Sequence, residues 1–162
     1  GLCGVAAVTE VRVSIVDVYP VRRASSGLEL LVLRRSPAGR CPGSWESVHG
    51  RIEEGERPVE AALRELKEET GLAPAALYNL SRVESFYLHR QDEVALIPVF
   101  VALVDPEAEA VPGSEHDLLA WLTFADASAR LAWPREHRAL EDIALLLGGG
   151  NAGPLEDVLR VC

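Results

Sequence analysis

Gly50 to Leu72 reads GRIEEGERPVEAALRELKEETGL, and its interpretation decides the fold. Pro58 suits the first turn of a helix, where a missing N–H has no partner to lose, and Gly71 is a natural stop. Glu56 and Glu60 place negative charge near the positive end of the helix dipole. Val59, Ala62, Leu63 and Leu66 recur at the spacing of a buried stripe. Glu65, Glu68 and Glu69, at i, i+3 and i+4, share a face that falls beside that stripe at about 100° per residue. The carboxylates therefore border the core.

Crowding like charges in this way is unfavourable. Pairs at i, i+4 cost about 0.2–0.5 kcal/mol, and anions near a helix C-terminus oppose the dipole. A hard divalent cation such as Mg²⁺ or Mn²⁺ would remove both penalties, since it takes carboxylate oxygens and substrate phosphates as ligands. The competing reading is a solvated acidic face, with Arg64 paired to Glu68 and Lys67 softening the rest. Spacing alone leaves both open.

The stretch resembles the Nudix box, G-x5-E-x7-R-E-U-x-E-E-x-G-U with U aliphatic. Gly50, Glu56, Arg64, Glu65, Leu66, Glu68, Glu69, Gly71 and Leu72 fill every fixed position. The resemblance implies a loop–helix–loop that binds Mg²⁺ or Mn²⁺ and hydrolyses a diphosphate linked to another group. Glu65, Glu68 and Glu69 match the metal ligands, with Glu56 a further acidic contributor. Arg64 matches the arginine that orients the glutamates, and Gly50 a glycine whose backbone lies near the metal. The residue before it, often glycine in the family, is His49 here.

Outside the box, SEHDLLAWLTF resembles the nucleoside and dihydroneopterin triphosphate pyrophosphatases of that family. There an acid precedes a histidine and an aromatic strand, and completes a metal site or serves as base. Glu115, followed by His116 and Trp121, fits that role, with Glu93 and Asp117 as alternatives. A lone histidine such as His116 is more often a hydrogen-bonded neighbour than a base.

Composition sets outer limits. The 162 residues suit one domain, with 48% hydrophobic content sufficient for a core. A net charge of −9 argues against a long nucleic-acid partner. A small phosphorylated, nucleotide-like substrate remains compatible. Lys67 is the only lysine, so phosphate contacts fall mainly to arginine. Arg51 is the best placed, followed by Arg35, Arg34, His89 and Tyr87. For the last four, strand-end or hairpin surface roles compete. Trp45 is read as packed under the loop. Cys3, Cys41 and Cys162 show no metal spacing and are read as reduced thiols. The longest apolar run, Val94 to Val104, is too short to span a bilayer, and no signal peptide is read, which together suggest a cytoplasmic protein, monomeric or homodimeric.

In chain order the expected elements are strands over Val11–Tyr19 and Leu28–Arg35 joined by a turn at Arg22–Gly27. After the box helix come strands over Leu77–His89 and Glu93–Val104, with a turn at Arg90–Asp92. A loop at Asp105–Ser114 follows, then helices over Ala125–Leu131 and Pro134–Leu147. The architecture is α/β: a Nudix α/β/α sandwich with a mixed β-sheet between helices. It forms a single domain over 1–162, with its core at about 8–148 and a C-terminal tail at 149–162. The expected activity is Mg²⁺-dependent hydrolysis of a nucleoside or dihydroneopterin triphosphate to monophosphate and pyrophosphate. Alternatives are hydrolysis of ADP-ribose, another nucleotide sugar or a dinucleoside polyphosphate. A catalytically silent nucleotide sensor is a third reading, disfavoured by the intact set of carboxylates.

Overall fold

Strand β2 (Ile15–Ala24) is buried along most of its length, which its β-branched and aromatic run makes possible. In the computed structural model, which describes residues 8–162, it is the strand on which the sheet converges. β2 pairs antiparallel with β3 (Gly27–Arg35) and β5 (Val48–Arg51), and parallel with β7 (Glu93–Leu103). β3 also pairs with the two-residue β4 (Trp45–Glu46) and with β8 (His116–Thr123), both antiparallel. β7 carries β6 (Ala76–Leu88) antiparallel and the exposed β1 (Glu10–Val13) parallel. The sheet is mixed, as the lack of regular βαβ spacing predicted.

Side-chain alternation sorts the core into two layers. Val16, Val18, Leu31, Leu33, Phe100 and Ala102 face α1 (Pro58–Thr70), packing on Ala61, Ala62 and Leu66. Tyr19, Val21, Leu30, Val32, Val99 and Val101 face the opposite way, toward Ala139, Leu140, Ile143 and Leu147 of α3 (Pro134–Leu147). Successive strand residues point to opposite faces, so one run of apolar residues serves both helices. α2 (Phe124–Arg130) leads from β8 toward α3, with the Thr123 hydroxyl accepting the Asp126 N–H at its start.

Four sequence expectations change in detail. The strand expected over Val11–Tyr19 breaks at Ser14, because β1 and β2 run along β7 in registers that differ by one residue. The turn expected over Arg22–Gly27 shrinks to Ser25–Ser26: β2 continues to Ala24, paired with Gly27, whose φ of 123° only glycine adopts readily. The box opens in strand β5 instead of a loop, paired with β2. β6 is interrupted by a bulge where Ser81 takes φ 60° and donates its N–H to the Asn79 side chain.

The helix α1 matches its reading closely. Pro58 opens it, the Glu60 carboxylate accepts the Arg57 N–H, and Gly71 closes it at φ 74°. At the far end of the chain, a short 3₁₀ turn (Gly153–Leu155) and α4 (Glu156–Leu159) bury Ala152 and Leu159 against the α3 layer. Tyr78 donates its hydroxyl to Glu156 there. Cys41 and Cys162 are exposed free thiols, and Cys3 lies outside the described residues. Among the described residues no helix is long and apolar enough to cross a membrane.

Candidate metal centre

Three pieces of chain meet at the C-terminal half of α1. The first is the helix itself, presenting Glu65, Glu68 and Glu69. The second is β5, whose Gly50 lies directly under Glu65: a Cβ built on Gly50 would collide with the Glu65 carboxylate. Glycine is needed here for close approach, with no positive φ involved. The third is the loop preceding β8. Its Val111 and Gly113 N–H groups bond to the Thr70 and Glu69 carbonyls at 2.9 and 3.1 Å. Those are carbonyls that the end of a helix leaves without partners, so the loop caps α1. Side-chain space at Gly113 is closed, since a Cβ there would lie 2.7 Å from the Glu68 carbonyl oxygen. The loop thus delivers Glu115 and His116 to the carboxylates, and Glu65, Glu68, Glu69, Gly113, Ser114, Glu115 and His116 line one pocket of about 150 Å³.

Arg64 holds the helix side of this pocket. Its Nε and one terminal nitrogen grip both oxygens of Glu56 at 2.8 and 2.9 Å. The other terminal nitrogen donates to Glu65 at 2.8 Å and Glu68 at 3.2 Å, while the one on Glu56 also donates to the Arg51 carbonyl at 2.8 Å. Such a fork-to-carboxylate pair fixes orientation as well as charge. Arg64 holds the Glu56 carboxyl down at about 2, aided by the Glu53 backbone N–H.

Burial has the opposite effect deeper in. Glu69 is 6% exposed, and its carboxyl is pushed up to about 10 by burial, then by the charges of Glu65, Glu115 and Glu46. Glu65 is raised too, by burial that the Arg64 contact only partly offsets. The Oε2 atom of Glu69 is buried without any hydrogen-bond partner. An orphaned carboxylate oxygen beside other carboxylates is costly, and a cation is the natural partner that would relieve it. Glu69, Glu115 and His116 each offer a ligand atom within 4.8 Å of the others. The donor set is oxygen-rich with one imidazole within reach, and it fits a divalent ion.

The residues singled out in the sequence separate into those the fold gathers and those it does not. Glu65, Glu68, Glu69 and Glu115 converge, with Gly50 beneath them. Glu56 is engaged by Arg64 and does not line the pocket. Arg35 turns inward, bonding the Arg40 carbonyl at 2.7 Å and approaching Glu46 and Glu115 at 3.4 and 3.7 Å. Arg34 and Asp117 are spent on one another in a bidentate surface pair. Arg51, the second residue of the box, is exposed at the end of β5. Tyr87 donates its hydroxyl to Asp92 and so pins the β6–β7 turn, while Glu93 pairs with Glu10 across β7 and β1. Neither these two nor His89 lines the pocket. Trp45 packs against the α3 layer, with the Arg130 guanidinium 5.1 Å from its ring.

Two contributors escaped the sequence reading. Glu46 is a buried carboxylate that bonds His116 Nε2 at 2.9 Å. Period-2 alternation with buried Val48 would have flagged it as inward-facing. Gly113 lies within the loop expected over Asp105–Ser114, with no role read for it there. Its role depends on a contact with α1 that local sequence does not encode.

An α/β/α sandwich with an arginine-clamped, carboxylate-bearing helix laid over one face of the sheet defines the class. The chain belongs to the NUDIX domain family, whose profile matches residues 10–143. Among its relatives, an octanoyltransferase of Myxococcus xanthus is 39% identical over 104 residues, covering 63% of this chain and 28% of that protein. The asymmetrical bis(5'-nucleosyl)-tetraphosphatase of Mus musculus is 31% identical over 117 residues, covering 71% of this chain and 77% of the relative. The chain thus spans little more than a quarter of the first relative and most of the second. Among solved structures, the E. coli dihydroneopterin triphosphate pyrophosphohydrolase superposes with a TM-score of 0.65 at 26% identity, covering 80% of this chain and 94% of that one.

Proposed function

We propose that this chain is a divalent-metal-dependent pyrophosphohydrolase that cleaves a phosphoanhydride of a nucleoside triphosphate or a pterin triphosphate, giving a monophosphate and pyrophosphate. The observation that carries this reading is the orphaned Glu69 Oε2, buried among Glu65, Glu68 and Glu115 in one pocket. Family membership, and the likeness to a dihydroneopterin triphosphate pyrophosphohydrolase, support the same reaction class. A catalytically silent sensor would have no use for carboxylates kept at such electrostatic cost.

Glu65, Glu68, Glu69 and Glu115 are the residues that would hold Mg²⁺ or Mn²⁺, with the Gly50 backbone close to Glu65. When bound, the ion neutralises the phosphate oxygens and acidifies the attacking water. Arg64 holds Glu65 and Glu68 in place through its hydrogen bonds to them, an orienting role. Glu115, 60% exposed and with its Oε2 3.7 Å from Arg35, is the carboxylate to take the water's proton through an oxygen not spent on the ion. Glu69 is the alternative base. Arg51, exposed at the end of β5 within the box, is the side chain best placed to meet substrate phosphate. Arg34 and Arg35 are committed to protein partners, which weakens their case.

A second substrate reading is a dinucleoside polyphosphate, favoured by the relative that is an asymmetrical bis(5'-nucleosyl)-tetraphosphatase. The reacting groups would be the same, and only the leaving group would differ. The deciding experiment is product identification on a panel of nucleoside triphosphates, dihydroneopterin triphosphate, ADP-ribose and diadenosine polyphosphates, with and without Mg²⁺. Metal-dependent release of pyrophosphate from a triphosphate supports the leading reading, and release of a nucleotide from a dinucleoside polyphosphate supports the second. Turnover unaffected by chelation, or none on the whole panel, would overturn both.

A further inference from the structure

The acidic pocket has a wall that the carboxylates do not explain. His116 opens β8 with its side chain completely enclosed. Its Nε2 lies 2.9 Å from Glu46 Oε2, and Glu46 also has Arg35 at 3.4 Å and His49 at 3.5 Å. An ionised carboxylate only accepts, so the proton of this hydrogen bond sits on Nε2. In the neutral imidazole Nδ1 then carries the lone pair.

That Nδ1 atom is buried and has no hydrogen-bond partner. Glu69, which lines the same pocket, likewise has its Oε2 atom buried and without a partner. Both atoms belong to residues that line one pocket, so a single cation between them could satisfy both. Glu69, Glu115 and His116 present donor atoms within 4.8 Å of one another, a spacing that suits ligands around one ion. A carboxylate behind the far nitrogen of an imidazole is the arrangement that fixes tautomer and ring orientation when the near nitrogen binds a metal.

We propose that His116 Nδ1 is a nitrogen ligand of the ion held in this pocket, joining Glu69 and Glu115, with Glu46 as the positioning residue that holds the imidazole in the required tautomer. This rests on the metal-dependent reading above and adds to it a ligand of a different kind. Magnesium takes oxygen and discriminates against imidazole, whereas later divalent ions accept both. The consequence is a site that prefers Mn²⁺ to Mg²⁺ more strongly than an all-oxygen cage would.

The test is electron spin-echo modulation of Mn²⁺ bound to the full chain without nucleotide, comparing unlabelled protein with protein carrying ¹⁵N-histidine. The expected result is a directly coordinated ¹⁴N signal that becomes ¹⁵N on labelling, persists in His49→Gln and disappears in His116→Gln. The latter should bind Mn²⁺ about 10-fold more weakly, with the ratio of Mg²⁺ to Mn²⁺ dissociation constants falling by a similar factor. Glu46→Gln should weaken the coupling without abolishing Mn²⁺ binding. If His116→Gln does not fold, labelled wild type and His49→Gln still decide, because His89 and His137 lie outside the pocket. Bound Mn²⁺ with no nitrogen coupling, or coupling that vanishes in His49→Gln, overturns the inference and leaves the hydrolase reading standing. No Mn²⁺ binding at millimolar concentration removes both.

Discussion

Single residues in this molecule are tied to the site by space and charge together. Gly50 is constrained because the Glu65 carboxylate occupies the volume that a side chain would need. Gly50→Ala must push Glu65 aside or shift β5, and overpacking of this kind costs about 1–3 kcal/mol. The expected outcome is at least a 10-fold loss of hydrolysis by displacement of one carboxylate, on the order of 1.4 kcal/mol in barrier height, with the fold retained. Rate measurements beside thermal unfolding check this, and a normal rate would show that Glu65 need not hold its position. Arg64 is likewise constrained, since five of its contacts stay within 3.2 Å. Lysine keeps the charge but cannot grip Glu56 with two parallel bonds. Arg64→Lys should therefore lower both the unfolding temperature and the affinity for Mn²⁺. A variant unfolding at the wild-type temperature would contradict the clamp.

At the scale of elements, the loop from Asp105 to Glu115 does the work that a local reading assigns to the box alone. Its Val111 and Gly113 amides cap α1, and Glu115 reaches Glu69 through that contact. Gly113→Val removes no carboxylate, yet it should lift the loop from the Glu68 carbonyl, lower turnover by about 10-fold and speed amide exchange over residues 111–116. Unchanged exchange would show that the loop is not anchored there. The box helix was legible in the sequence because its signals are local: Pro58 and Gly71 as punctuation and an apolar stripe between them. Glu65, Glu68 and Glu69 shared a face for the same reason. Glu46 and Gly113 were not legible as site residues, since their partners lie 70 and 44 to 45 positions away and their roles arise from tertiary contact. Arg34 and Arg35 were placed correctly at a strand end, but their partners, Asp117, Glu46 and Glu115, decide what they do.

Across the whole molecule, the sheet separates two polar arrangements. One is the acidic pocket on the α1 side. The other includes Glu136 at the start of α3, which accepts the Ser47 N–H at 2.7 Å and is 3% exposed. Burial pushes its carboxyl from 4.5 up to about 8, with the Ser47 bond opposing and Asp17 adding to the rise. Between those two values the group is neutral in the fold but ionised in the unfolded chain, which therefore binds fewer protons. Its contribution to stability is complete below about pH 4.5 and declines as pH rises toward 8. Glu136→Gln should flatten that part of the stability profile, a difference of a few kcal/mol at the alkaline end. Urea unfolding across the range measures it, and parallel profiles for the two proteins would refute the assignment.

If the carboxylates gathered by α1 and the loop before β8 cage a divalent ion, the protein must bind that ion and lose affinity when a buried ligand is removed. Titration calorimetry of Mn²⁺ into wild type and Glu69→Gln tests it most directly. The account predicts saturable binding at submillimolar concentration in wild type, weakened about 10- to 100-fold or lost in the variant. No binding by wild type at millimolar Mn²⁺, or identical isotherms for the two proteins, would contradict it.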